Sequence, residues 1–522
     1  MTSRPAVRRS EYGPGRRMPA GAIGWLLLVA SGLAVGTFVW VALRRMGFPF
    51  ELEWMEGGML ESVRHILAGR PLYATPSLEF TTFIYGPLYY YVSAAFAQVF
   101  GTSYLALRLV AFLATIACFG LTWLIVFRET GRVVPAVCAA GLLAAAYPLT
   151  GFWYDIARCD TLFMALFLAA VLLLRATRPG WGHVIAGLLV VLSFYAKQTA
   201  LFLTVPLAVY LVFHLRWHSL WFVGTALGGI GFTVLALNIV FHGWYRYYIF
   251  TLPSAHAWAP IHYTGFWSSD LGRMLPSIIL TVLLFRARAR FRIPHATGFY
   301  LALFVGLVAG AWSSRFHTGG FLNVLIPAVC GLALGSGLGY SALLDIAAEV
   351  KPVPRVVAEL ILGATFLTQF GLLIYNPGRQ IPSARDLAAG EEVVARIREV
   401  PGEVYCPAHV NLPVRAGKGS YAHMAALQDI LRGPDSPVRK TLEAEIEQAI
   451  AGRRFAGIVL DELGLAGPSR FLGNVDQYYR VARCPLFSDT GALHLRVGHR
   501  SRPAILYVLK SEFSDTAAAQ GR

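Results

Sequence analysis

Three carboxylates stand close together in Phe50-Glu51-Leu52-Glu53-Trp54-Met55-Glu56-Gly57-Gly58, directly after an apolar run. The spacing of Glu53 and Glu56 lets them share one face of a helix. Such groups either stay solvated and pair with Arg44, Arg45 and Arg64, or one of them acts as a general base. In that role a carboxylate accepts the proton of an attacking hydroxyl and is made more basic by partial burial.

Asp160 is a further acid. From Asp160 to Arg175 is about fifteen residues, roughly 22 Å of helix and less than a hydrocarbon core of about 30 Å. An ionisable group recessed in this way lines a cavity and takes a partner, here Arg158; the plainer reading is an interfacial acid at a helix start beside Thr161. Three cations lie in short turns: Arg158, Lys197 in Tyr195-Ala196-Lys197-Gln198-Thr199, and Arg315 beside His317 in Ser313-Ser314-Arg315-Phe316-His317-Thr318-Gly319-Gly320. They are either phosphate ligands, Arg as a fork and Lys as a point charge, or side chains that snorkel to headgroups. His242, His256, His262 and His317 match no zinc spacing. A divalent metal is therefore left open, with His317 and Tyr85 as candidate acceptor or metal contacts, and the sequence implies no other cofactor. Cys406 and Cys484 either bridge or remain thiols.

The elements that must position these groups are membrane helices. Of 522 residues, 56% are hydrophobic and 14% charged, against roughly 25% charged in soluble domains. Apolar blocks fall at 23–43, 104–127, 133–149, 161–174, 181–195, 199–213, 220–241, 274–285, 297–312, 319–338 and 356–375, about eleven crossings. The formal charge of +16 comes largely from arginines flanking these blocks, which is a topology signal and not a nucleic-acid footprint. The block at 85–100 is apolar but rich in tyrosine. If it stays at the interface, the clusters Arg128/Arg132, Arg175/Arg178, Arg216, Arg286/Arg288/Arg290/Arg292 and Lys351/Arg355 share a side with the basic N-terminal tail, residues 1–22; Arg44 and Arg45 go against that rule. The segments 44–103, 150–160 and 242–273 and the turns at Lys197 and 313–318 then lie together on the other side. After the membrane domain, 23–375, charges and turns return in 376–510. Helices alternate there with strands at 403–406, 457–460, 493–497 and 505–509, suggesting a small α/β domain, before a polar tail at 511–522.

The order of an acidic external loop continuing as Ser62-Val63-Arg64-His65-Ile66-Leu67-Ala68-Gly69-Arg70-Pro71-Leu72-Tyr73, then Tyr85-Gly86-Pro87-Leu88, Arg108 and Arg158-x-Asp160 resembles the GT-C glycosyltransferases. It looks closest to the branch with protein O-mannosyltransferases and the lipid A aminoarabinose transferase. The resemblance implies a polytopic α-helical membrane fold with juxtamembrane helices in the first loop, a polyprenyl-phosphate sugar donor and an acidic base. By position, Glu53 or Glu56 matches the first-loop acid and Asp160 the second, with Arg158, Lys197 or Arg315 as phosphate contacts. Relatives carry a lysine or histidine before the proline where this chain has Gly86. The expectation is an inverting transferase of the inner membrane, with its active site and C-terminal domain extracytoplasmic. Its partners are membrane lipids and a glycan, lipid or protein acceptor, and not nucleic acid. A transporter or flippase of lipid-linked sugars is the alternative; it shares the cations but does not need the acidic loop.

Overall fold

The computed structural model describes residues 21–287, 294–349, 355–462, 472, 475–483, 486–489 and 491–510. The basic tail through residue 20, Arg288, Arg290, Arg292, Lys351, Cys484 and the polar end from residue 511 lie outside them.

Helices stand at all eleven apolar blocks. The first eight helices are α1 Ala22–Met46, α2 Glu56–Leu67, α3 Leu88–Phe100, α4 Tyr104–Thr130, α5 Val133–Ala145, α6 Asp160–Ala176, α7 Trp181–Ala196 and α8 Thr199–Leu215. Helical segments over 220–240 and Leu275–Ala287, Pro294–Arg315, Ile326–Glu349 and Arg355–Leu372 complete the bundle. Among the described residues six stretches are long and apolar enough to cross a membrane, one of them 42 residues from Thr199 to Val240. At 1.5 Å per residue that stretch is roughly 63 Å, about twice a hydrocarbon core. It is two passes, because the chain turns at Arg216, whose φ is +52°. The second pass returns along α7, where Trp221 packs on Trp181 and Gly229 faces Val191. The block read as 319–338 starts late: Gly319 has φ +93°, a one-turn helix Leu322–Leu325 follows, and the long helix runs on to Glu349.

Long-range ion pairs and hydrogen bonds tell which helix ends share a side. Arg45 at the end of α1 meets Asp155, Tyr104 at the start of α4 meets Glu51, and Lys197 after α7 meets Asp160. At the opposite end Arg175 pairs with Glu129, which also accepts from Tyr300, and Arg132 pairs with Asp345. The segment between α1 and α4 thus leaves and returns on one side. Its helix α3 has 13 residues, roughly 20 Å, and the Tyr89 hydroxyl donates to the Leu107 carbonyl near the start of α4. Arg45 is no topology signal: it is fully buried, donating to both oxygens of Asp155 and to Tyr147.

In the C-terminal part, strands β1 Val404–Tyr405, β2 Gly457–Asp461, β3 Tyr479–Val481 and β4 Pro503–Leu509 form one sheet in the order β1-β2-β4-β3, parallel only between β1 and β2. The strand expected at 493–497 is absent. Leu493 has φ +61°, and the amides of Arg496 and Val497 donate to the Leu52 carbonyl of the first loop, at 3.0 and 2.9 Å, instead of to a sheet. First loop and C-terminal part share one hydrophobic core, in which Met59, Leu78 and Phe83 pack with Tyr405, Leu427 and Phe455. Glu79 pairs with Arg454, and Ala422 N donates to the Leu78 carbonyl.

Candidate active site

Two buried ion pairs shape the loop that carries the carboxylates. Arg108 of α4, wholly buried, donates to Glu56 through Nε at 2.9 Å and Nη2 at 2.6 Å. It also donates to the carbonyls of Phe48 and Phe50 at 2.6 and 2.7 Å. Glu56 accepts in addition from the amides of Leu52 and Ala157, both at 2.7 Å. Every lone pair of Glu56 is engaged, so this acid holds the first loop to the 150–160 segment and to α4. Glu51 is also tied down, between the Tyr104 hydroxyl at 2.7 Å and His409 of the C-terminal part at 3.3 Å. These hydrogen bonds and the His409 charge hold the Glu51 carboxyl below its usual range despite burial. Contact with Glu51 raises His409.

Glu53 differs from both. It does not share a helical face with Glu56, because α2 begins only at Glu56 and Glu53 lies in the preceding turn. It is fully buried, accepts from Met55 N at 3.1 Å, and meets Arg158 Nη1 at 3.2 and 3.4 Å. That guanidinium is shared with the Tyr85 hydroxyl and the Met55 sulfur, and lies over the Tyr85 and Trp153 rings at 5.0 and 5.9 Å. Burial pushes the Glu53 carboxyl up to about 7; Arg158 opposes the shift and Glu56 adds to it. Its proton affinity is thus matched to exchange near neutral pH.

Asp160, the first residue of α6, is recessed as expected, but its main partners are Lys197 Nζ at 2.6 Å and Asn323 Nδ2 at 2.9 Å. Arg158 Nε stands 4.0 Å from Asp160 Oδ2, and neither atom has a hydrogen-bond partner. The two atoms face each other across a gap too long for a hydrogen bond. Glu53, Arg158, Asp160 and Lys197 therefore form one buried chain of alternating charge drawn from three separate segments. Asn323 and Trp153 were not singled out in the sequence. The signal for Asn323 was a lone amide opening an apolar block, right after Gly319-Gly320.

Gly86 occupies its place for a steric reason. A Cβ there would stand 2.0 Å from the Tyr195 carbonyl oxygen at the end of α7, so the loop lies directly on the backbone that leads into Lys197. Gly86→Ala is expected to lower stability by about 1–3 kcal/mol through overpacking and to displace Lys197, read as a lower melting temperature in detergent; an unchanged melting temperature would refute the contact.

Arg315 and His317 are not joined to this cluster. Arg315 pairs with Asp270 at 2.7 Å and touches His262 and the Gly320 carbonyl, while His317 bridges to Trp258. Among the described residues no three His, Cys, Asp or Glu side chains converge, and the site carboxylates are held by arginine and lysine. This donor set does not fit a divalent ion. Cys406 is a buried free thiol.

Residues 85–244, just under a third of the chain, match the family described as dolichyl-phosphate-mannose-protein mannosyltransferase. Among solved structures, ArnT from Cupriavidus metallidurans in the apo state aligns with a TM-score of 0.55 at 15% identity, covering 94% of this chain and 98% of that one. The same protein bound to undecaprenyl phosphate aligns with a TM-score of 0.55 at 12% identity, covering 94% and 99%. The archaeal oligosaccharyltransferase AglB from Archaeoglobus fulgidus, in complex with an inhibitory peptide and a dolichol-phosphate, gives 0.51 at 12%, covering 88% and 72%. No curated protein is similar enough in sequence to register as a match. The resemblance drawn from the motif order is borne out.

Proposed function

From a chain with the GT-C fold and apolar helices that make it an integral membrane protein, we propose a glycosyltransferase that moves a monosaccharide from a polyprenyl-phosphate donor to a hydroxyl acceptor, with inversion, on the extracytoplasmic side. The observation that carries this reading is Glu53, a buried carboxylate beside Arg158 whose proton affinity lies near neutrality.

Glu53 takes the proton of the acceptor hydroxyl as its oxygen attacks the anomeric carbon. The bond from that carbon to the phosphate oxygen breaks on the opposite face, through a transition state of oxocarbenium character as in glycoside hydrolysis. The bonding electrons leave with the lipid phosphate, which needs no acid. Arg158 and Lys197 meet the growing charge from a dry site, where fixed cations act strongly. Asp160 holds Lys197 and, with Arg158 Nε, orients a substrate hydroxyl. The engagement of Glu56 by Arg108 and two amides favours Glu53 over Glu56 for the base role.

The test is sugar transfer by the purified full chain from labelled polyprenyl-phosphate sugars. A base must be unprotonated to work, so the rate is expected to fall as pH drops below about 7, approaching tenfold per pH unit, and to level off above. A rate independent of pH between 5 and 8.5 would remove Glu53 from the role. A flippase would move the lipid-linked sugar with no transfer at any pH.

A further inference from the structure

Next to Glu53, on the side of the C-terminal part, four ring systems from four segments form a continuous patch. Trp54 meets Phe321 at 6.0 Å and His499 at 6.3 Å. Phe321 in turn meets His499 at 4.9 Å and Trp153 at 6.1 Å, the last pair stacked within 20°. Trp54 and Phe321 are half-buried and His499 is exposed. Two polar groups in the patch are unmet: the indole N–H groups of Trp54 and Trp153 are shielded from water and have no acceptor, although Trp153 is only 2% exposed. A buried indole N–H normally finds a partner, and leaving one dry costs about 1–3 kcal/mol. Gly498 lies against the edges of both indoles: a Cβ there would be 3.1 Å from Trp153 and 3.6 Å from Trp54, and its φ of +75° disfavours any side chain. The segment Leu495–His499 is held against the loop through the Leu52 carbonyl, which fixes His499 beside Trp54.

We propose that this patch is the acceptor subsite and that it takes a pyranose ring, so that the accepting hydroxyl belongs to a carbohydrate; the proposal rests on the transferase reading above. A sugar ring packs its C–H face on an aromatic face and surrounds it with hydroxyls that both donate and accept. Such a rim offers the acceptors that Trp54 and Trp153 lack. An isoprenoid chain would leave both indoles unmet. A peptide's carbonyls would also meet the indole donors, but its backbone has no saturated ring face to lie on the aromatic patch. Because Trp54 follows Glu53 directly, a ring seated here brings its hydroxyl to the base.

The experiment uses the full chain in nanodiscs containing undecaprenyl phosphate, probed by saturation-transfer NMR. The probes are methyl α-glucoside, α-galactoside and α-mannoside and a threonine-containing tripeptide. At least one glycoside is expected to bind saturably, weakened fivefold or more by His499→Ala, at an exposed position, and by Trp54→Phe, which keeps a ring but removes the N–H. Undecaprenyl phosphate binding, followed by native mass spectrometry, should stay unchanged in both variants. Lipid binding without any glycoside binding, glycoside affinities within twofold of the parent in both variants, or binding of the tripeptide alone would each overturn the subsite. Failure of the parent chain to bind lipid phosphate or glycoside would overturn the transferase reading with it.

Discussion

Glu53→Gln is expected to lower sugar transfer by roughly 10²–10⁴-fold, the range a positioned general base supplies, while the protein still inserts, folds and binds lipid phosphate. The amide keeps the shape of the carboxylate and can still accept from Arg158 Nη1 and Met55 N, so little structure is lost; only the proton acceptor disappears. The same substitution abolishes the pH dependence, because the group that titrates near 7 is gone. Single-turnover transfer with a labelled polyprenyl-phosphate sugar, compared at pH 6 and pH 8, measures both. A variant within threefold of the parent would end the assignment. A flippase has no use for a base, so the variant would translocate normally.

Arg108→Met should act on the fold instead. The substitution leaves Glu56 charged, fully buried and without its cation, and removes the donors to the Phe48 and Phe50 carbonyls. Breaking one side of a buried pair costs about 3–5 kcal/mol, a large share of the total for most proteins. The expected result is a markedly lower melting temperature in detergent, with activity lost together with the folded fraction. Arg108→Met combined with Glu56→Gln should regain part of the loss, since no unpaired charge remains. If the single variant melts within a degree or two of the parent, the pair does not hold the loop.

The helices were legible because a hydrocarbon slab demands long apolar runs, and the interfacial place of α3 followed from charge on the flanking arginines. The carboxylates, Arg158, Asp160 and Lys197 were also visible, as charges against the grain of their surroundings. Which acid does what was not legible. Glu53 and Glu56 differ only through Arg108 and the amides of Leu52 and Ala157, and such partners lie up to a hundred residues away in the chain. Arg45 looked like a topological exception for the same reason, since Asp155 is 110 positions distant. Arg315 and His317 met the same criterion as Lys197, but Arg315 pairs with Asp270, 45 positions away, and not with the cluster. The segment 493–497 alternates like a strand, and its amides found the Leu52 carbonyl before any sheet edge.

The stretch from Glu51 to Trp54 is gripped at almost every residue by the C-terminal part: Glu51 by His409, the Leu52 carbonyl by Arg496 and Val497, and the Trp54 carbonyl by His423. His423 is pushed down to about 4, chiefly by burial, so it serves as a neutral N–H donor over the physiological range. Cutting the chain at Asn376 would therefore take the mould away from the segment it shapes, and a dead truncation product would say nothing about where the chemistry resides. Grafting a C-terminal part from a distant relative should fail in the same way unless residues 51–54 travel with it.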